Sequence, residues 1–271
     1  MTDSTAALIR DLERTDRLRP LPLRQAIEAL ELRPGTRLLD IGCGIGLQAL
    51  QLAEATQPHP HVIGLDISHA MLEHALKKIA PLAGIDQILL TAGDMHRFPF
   101  ASDSFDLCWS VDCLGYPAAD HLPLLQEVVR VARDGATVAL LSWSSQTLLP
   151  GHAMLEARLN ATASAYAPYL SQAAPERHFM RLGRCFPLAG IRGHRCRSFI
   201  GEIAAPLDED QRLALTALFE MLWGGALAGA SAPDQRAYER LCQPGSPDSI
   251  LELPDYCAFF TYTMFSGVVQ K

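Results

Sequence analysis

Apolar positions along the first 145 residues fall into two alternating rhythms, short unbroken runs and helically spaced sets. Residues 23–32, with Leu23, Ile27 and Leu30 on one face, predict a helix that stops before Pro34-Gly35. A strand over 36–41 leads to a helix over 46–55 carrying Leu47, Leu50 and Leu52. A second strand, 61–66, ends at Asp66, and Ser68 stands where it can cap a helix running to Ile79. Strand 87–92 leads to Gly93-Asp94, and strand 105–111 to Asp112. Asp120 is placed to cap a helix bearing Leu122, Leu125, Val129 and Ala132, after which Arg133-Asp134-Gly135 turns the chain into strand 136–143. Repeated strand–helix alternation of this kind predicts an α/β, doubly wound parallel sheet, whose ligands bind past the carboxyl ends of the strands.

After Trp143 the rhythm changes. The alanine-rich stretch 151–174 and residues 177–188 predict helices, and 191–203 a strand. Amphipathic helices are expected over 207–223 and 233–242, separated by a flexible segment from Gly224 to Gly229. The aromatic and β-branched stretch 255–269 predicts a last strand, and Pro244-Gly245-Ser246-Pro247 a mobile loop. Helices between the last two strands would cap the ligand end of the sheet.

Composition narrows the function classes. A formal charge of −7 over 271 residues argues against nucleic acid as a partner. No stretch approaches the roughly 18 uninterrupted apolar residues of a membrane span, and the polar opening from Met1 to Arg14 lacks the apolar core of a secretory signal. Seven cysteines, an odd number without a Cys-x-x-Cys pair, predict reduced thiols, no metal site and a cytoplasmic setting.

The most informative residues are 38–46, Leu-Leu-Asp-Ile-Gly-Cys-Gly-Ile-Gly. An apolar run ends in Asp40 and then in glycines 42, 44 and 46, which let the backbone turn sharply and leave room for a ligand. A dinucleotide fingerprint needs a further glycine where Leu47 stands, and Asp40 is a poor neighbour for a pyrophosphate but suits a cationic ligand. Asp66, twenty residues beyond Gly46, can accept ribose hydroxyls. Gly93-Asp94-Met95 and the run Asp103-Ser104-Phe105-Asp106-Leu107-Cys108-Trp109-Ser110-Val111 complete the set.

Together these motifs, over residues 35–145, resemble those of class I (Rossmann-like) S-adenosylmethionine-dependent methyltransferases, nearest the small-molecule group that includes ubiquinone- and menaquinone-type enzymes. The resemblance implies a mainly parallel seven-stranded sheet with the last strand antiparallel and a helical cap before it. It divides the chain into an N-terminal helical segment (1–33), a cofactor-binding domain (34–205 and 254–271) and a cap insertion (206–253). It implies S-adenosyl-L-methionine as cofactor and a methyl acceptor as the partner, which the apolar residues of the second half, and not the resemblance, lead us to expect as a small hydrophobic molecule. Asp40, Gly42, Cys43 and Gly44 would hold the methionine moiety and Asp66 the ribose, with Ile67 and Met71 beside the adenine. Asp94 and Met95 would read the adenine edge, while Ser110 and Val111 would lie near the sulfonium. Tyr116, in the loop after the fourth strand, is the favoured acceptor contact, with His96, Asp112, His121, His152 and His178 as further candidate bases. Arginines 177, 181, 184, 192, 195 and 197 form a basic island able to meet an acidic acceptor, and Phe219, Met221, Trp223, Phe259, Phe260, Tyr262, Met264 and Phe265 supply core or an apolar pocket. Trp223 would swing as part of a mobile lid. Two alternatives stand beside this reading, a non-catalytic cofactor-binding or scaffold protein and a nicotinamide-dependent oxidoreductase.

Overall fold

A computed structural model describes residues 3–81, 88–162 and 172–271. Its seven-stranded sheet comprises β1 (Arg37–Ile41), β2 (His61–Asp66), β3 (Ile88–Ala92), β4 (Phe105–Val111), β5 (Ala132–Thr147), β6 (Ile191–Ala204) and β7 (Cys257–Val269). Their spatial order is β3-β2-β1-β4-β5-β7-β6. The first five strands pair in parallel, and β7 inserts antiparallel between β5 and β6. This is the expected doubly wound, mainly parallel sheet with an antiparallel last strand. The order reverses between β1 and β4, so the crevice for a ligand opens above their carboxyl ends.

The strands form because both faces are covered. Leu38, Leu39, Asp40 and Ile41 of β1 are all buried, the unbroken pattern of an interior parallel strand. One face packs against α2 (Pro20–Glu28), α3 (Leu47–Ala55), α7 (Glu209–Leu222) and α8 (Ala232–Cys242), through Leu23, Leu52, Leu215 and Leu241. The other packs against α5 (His121–Val131) and a series of 3-10 turns. Among the described residues the remaining helices are α1 (Asp3–Thr15), α4 (His69–Ile79) and α6 (Ala153–Asn160). Ser68 caps α4 by accepting the Met71 N–H.

Several boundaries differ from expectation for local reasons. The helix expected over 23–32 starts at Pro20, whose fixed φ suits a first turn, and ends at Glu28 as the chain tightens and Glu31 adopts φ 51°. Asp120 occupies the cap position of α5 without a side-chain capping bond. β5 runs from Ala132, and Arg133-Asp134-Gly135 forms a register shift within it rather than a turn before it. Residues 177–188 are 3-10 turns, Phe179–Cys185 and Pro187–Ala189, because Pro187 has no N–H to continue a helix. Of the expected helix over 151–174, α6 accounts for the start, and 163–171 lie outside the described residues. Gly224–Gly229, expected to be flexible, is a 3-10 helix. In the expected mobile loop, Ser246 Oγ donates to the Arg240 carbonyl.

The elements between β6 and β7 sit against the N-terminal helices. Asp208 and Gln211 form a reciprocal capping box that starts α7. α7 packs along α1, and Glu13 ties α1 to α4 by pairing with His74 and Lys78 at 3.0 and 2.9 Å.

Candidate functional site

A cavity of about 430 Å³ opens at the sheet's reversal point, between the glycine loop, the N-terminal helices and α7. The loop is built by backbone contacts. Gly42 N and Cys43 N both donate to the Leu65 carbonyl, which ties β1's end to β2. Gly42 adopts φ 75°, and a side chain there would meet Cys113 Sγ at 2.1 Å. Gly44, at φ 51°, is different, since a Cβ there would meet no protein atom within 4 Å. Its restriction is conformational, and its open side faces the cavity that it lines.

Asp66 latches this loop. Its Oδ2 accepts the Gly44 N–H at 2.9 Å and its Oδ1 the Ser68 N–H at 2.8 Å. Each carboxylate oxygen retains a lone pair for a ligand hydroxyl. Asp40, beneath the loop, is almost fully buried, and its Oδ2 has no hydrogen-bond partner. Burial, reinforced by the nearby Asp66 charge, raises the Asp40 pKa to about 7. A buried carboxylate oxygen without a donor fits a cationic ligand group, as the ammonium of S-adenosylmethionine requires.

Gly42, Cys43, Gly44, Asp66, Met71, Val111 and Tyr116 line the cavity. The other residues expected at the cofactor do not, and Asp40, buried beneath the loop, is among them. Ile67 is 72% exposed, Asp94 is exposed, and Met95 packs against the second core cluster. The Asp94 carboxylate accepts the His96 N–H and pairs with the His96 ring, each at 2.9 Å, and these bonds lower its pKa. Ser110, expected near the sulfonium, turns into the sheet instead. Its hydroxyl donates to the Ile41 carbonyl and accepts the Leu114 N–H, which pins β4's end to β1.

The opposite end of the cavity is a polar cluster within apolar walls. Asp112, at φ 49°, accepts the Trp143 N–H at 2.7 Å and the Tyr262 hydroxyl at 2.9 Å. Burial raises the Asp112 pKa, against the pull of Arg19 and these two donors. Arg19 lies over the pair, Nη1 standing 3.5 Å from Tyr262 Oη and 3.8 Å from Asp112 Oδ2. Burial opposes its charge, but Tyr262, Asp16 and Asp112 outweigh that and raise its pKa. Leu12, Leu18, Leu218, Met221 and Leu222 form the surrounding walls. A smaller cavity of about 110 Å³ adjoins it and shares Tyr116, Trp143 and Leu222.

Arg19, Thr15 and the leucines of the N-terminal helices were absent from the sequence-based site. The signal that could have found them is Leu8, Ile9 and Leu12, apolar positions sharing one helical face in a segment rich in charged residues. Asp112 was one candidate among several, and the structure brings it beside Tyr262. Of the expected histidines, His96 is exposed, His121 is buried with its pKa lowered by that burial, and His178 lines only the smaller cavity. The six arginines of the basic island are exposed, and none lines the main cavity. Trp223 does not swing into the site. It is fully buried, stacks on Phe219 and donates its indole N–H to Asn160 at 2.9 Å. Phe219, Phe260, Met264 and Phe265 are core, Phe259 is exposed, and only Met221 and Tyr262 of that aromatic and methionine set reach the main cavity.

Residues 38–135 match a family model described as a methyltransferase domain. A demethylmenaquinone methyltransferase of Staphylococcus aureus is 28% identical over 196 residues, covering 67% of this chain and 78% of that protein. A 37.1 kDa transposon-borne protein of Streptomyces fradiae is 36% identical over 124 residues, covering 45% of this chain but only 35% of its own length. Among solved structures, the Bacillus YcgJ protein has a TM-score of 0.55 at 17% identity, covering 92% of this chain and 98% of its own. Phosphoethanolamine N-methyltransferase 2 of Haemonchus contortus, solved with S-adenosylmethionine, has a TM-score of 0.53 at 19% identity, covering 91% of this chain and 52% of its own. These structural likenesses are likenesses of fold.

Proposed function

Starting from a chain that is a class I S-adenosylmethionine-dependent methyltransferase, we propose that it methylates a small hydrophobic molecule held between the N-terminal helices and α7. The observation that carries this reading is the continuity of one cavity, from Gly44 and Asp66 at one end to a wall of Leu12, Leu18, Leu218, Met221 and Leu222 at the other. The Staphylococcus relative, named for its action on demethylmenaquinone, lends support to an apolar acceptor of quinone type. Seven thiols free of disulfides accord with a cytoplasmic setting. Among the described residues no helix is long and apolar enough to cross a membrane.

The roles follow from what each group can do. Asp40 and the backbone of Gly42, Cys43 and Gly44 would hold the methionine moiety, and Asp66 the ribose hydroxyls. Met71, with Ile67, Asp94 and Met95 at the ends of β2 and β3, would border the adenine. When bound, the cofactor supplies a methyl group on a sulfonium, which leaves as a neutral thioether. The apolar walls exclude water, and Val111 and Tyr116 border the path between the two ends. Orientation in such a site supplies roughly 7–11 kcal/mol of a displacement barrier. Residues 206–253 would act as the cap that covers the acceptor.

The test combines calorimetry with turnover. S-adenosylhomocysteine should bind the purified protein, and labelled methyl should appear on a member of a panel of quinols and other apolar acceptors. Cofactor binding with no transfer across the panel would favour a non-catalytic cofactor-binding protein.

A further inference from the structure

Arg19 is a buried cation whose hydrogen-bonding capacity is largely unspent. Its side chain is 13% exposed, and it lines the main cavity. Its three polar neighbours all stand at the limit of hydrogen bonding or beyond, Asp16 and Tyr262 at 3.5 Å and Asp112 at 3.8 Å. Its Nε has no partner among the described residues. A guanidinium has five N–H donors in a planar fork that matches a carboxylate or an anionic oxygen.

The neighbours explain why the charge persists without being consumed. Asp16 and Asp112 flank it closely enough to favour the cation, but Asp112 is already committed to Trp143 N and the Tyr262 hydroxyl. Tyr262 donates its proton to Asp112, so its oxygen is left as an acceptor only. The cluster therefore turns guanidinium donors toward the cavity that only these long contacts to Asp16, Tyr262 and Asp112 engage. It sits over β4, β5 and β7, on the other side of the sheet's reversal from Asp66 and β2.

We infer that Arg19 is a specificity-determining residue for the acceptor, and that the acceptor is an apolar molecule carrying an acidic oxygen, a carboxylate, phenol or enol, whose anion docks on the guanidinium. This assignment rests on the methyltransferase reading and deepens it. The apolar walls take the hydrophobic body, and the fork takes the oxygen. An acceptor that is neutral throughout would leave Arg19 desolvated and unpaired, a cost of the kind that makes polar recognition selective.

The experiment uses naphthoate, naphthol and methylnaphthalene as shape-matched probes, titrated by calorimetry with and without saturating S-adenosylhomocysteine. For the unmodified protein the expected order of affinity is naphthoate, naphthol, methylnaphthalene, with roughly tenfold or more between the first and last. Arg19→Gln should collapse that spread while leaving methylnaphthalene and S-adenosylhomocysteine within about twofold. Arg19→Lys should restore part of the spread, and it keeps the charge between Asp16 and Asp112 should the glutamine variant fail to fold. A flat ranking in the unmodified protein overturns the assignment. So does a loss of S-adenosylhomocysteine affinity in both variants, which would place Arg19 at the cofactor's own carboxylate. A protein that ranks the probes as expected yet takes up no S-adenosylhomocysteine would overturn the cofactor reading and leave the Arg19 assignment standing.

Discussion

The two ends of the cavity are built by different means. At the glycine end the site is shaped by backbone, a loop whose N–H groups at 42, 43 and 44 are spent on the Leu65 carbonyl and the Asp66 carboxylate and whose open side at Gly44 faces the cavity. At the far end they are side chains, Arg19, Asp112 and Tyr262, brought together from the N-terminal helices, the end of β4 and the middle of β7. Backbone recognition depends on conformation and tolerates few substitutions, because what matters is φ and the absence of a Cβ. Side-chain recognition depends on identity and can be retuned one residue at a time. The arrangement thus suits a common cofactor at one end and a particular acceptor at the other.

The sharpest way to break the comparison is Gly44→Val. A branched residue at φ 51° is strained, by about 1–3 kcal/mol for such positions, and its side chain enters the cavity. Calorimetry should show S-adenosylmethionine affinity lowered by two orders of magnitude or more, roughly, while circular dichroism stays native. Asp66→Ala comes next. It removes the acceptor for Gly44 N and Ser68 N as well as for the ribose, and loss of charged hydrogen bonds of about 1.5–3 kcal/mol corresponds to roughly ten- to over a hundredfold weaker binding. S-adenosylmethionine and S-adenosylhomocysteine should suffer equally.

Acidity sharpens the comparison further. With Asp40 at about 7 in the folded protein and near 3.8 when unfolded, the native state holds the proton more tightly. Stability from this group is present at low pH and is lost as pH rises from the lower value to the higher. Cofactor binding has the opposite sign, since an ammonium prefers the ionised carboxylate. Affinity should drop about tenfold per pH unit below 7, and Asp40→Asn should flatten that slope. At the far end, Tyr262→Phe should lower the melting temperature by removing the bond to Asp112 and leave S-adenosylhomocysteine affinity within about twofold. The smallest effect is expected in α7, whose buried contacts with α1 make it a fixed roof. Amide exchange over 209–222 should be slow in the free protein and change little on adding S-adenosylhomocysteine.

The glycine end was legible because its determinants are contiguous. Residues 38–46 spell a buried strand and its turn, and Asp66 follows at the end of the next strand, so local spacing carried both the parallel sheet and the loop. The far end was not legible for the opposite reason. Arg19 and Tyr262 are 243 positions apart, and nothing near either one marks the meeting. Ser110 illustrates a subtler limit. Its place at the end of β4 was readable, but which way its hydroxyl turned depended on the unfilled carbonyl of Ile41. The place of Trp223 was not readable either, because flanking glycines suggest mobility whereas the indole's partner, Asn160, lies in α6.

That separation of 243 positions has a consequence in time as well as in space. A ribosome releases β1, β2, β3 and β4 early, so a nascent chain has the strands for cofactor capture long before it has an acceptor end. β7 follows β5 and β6 in the chain yet lies between them in the sheet, and it carries the Tyr262 that bonds Asp112. Domains fold from the amino terminus as they are made. An unfinished or carboxyl-truncated chain would therefore retain its glycine loop but lack the meeting of Arg19, Asp112 and Tyr262.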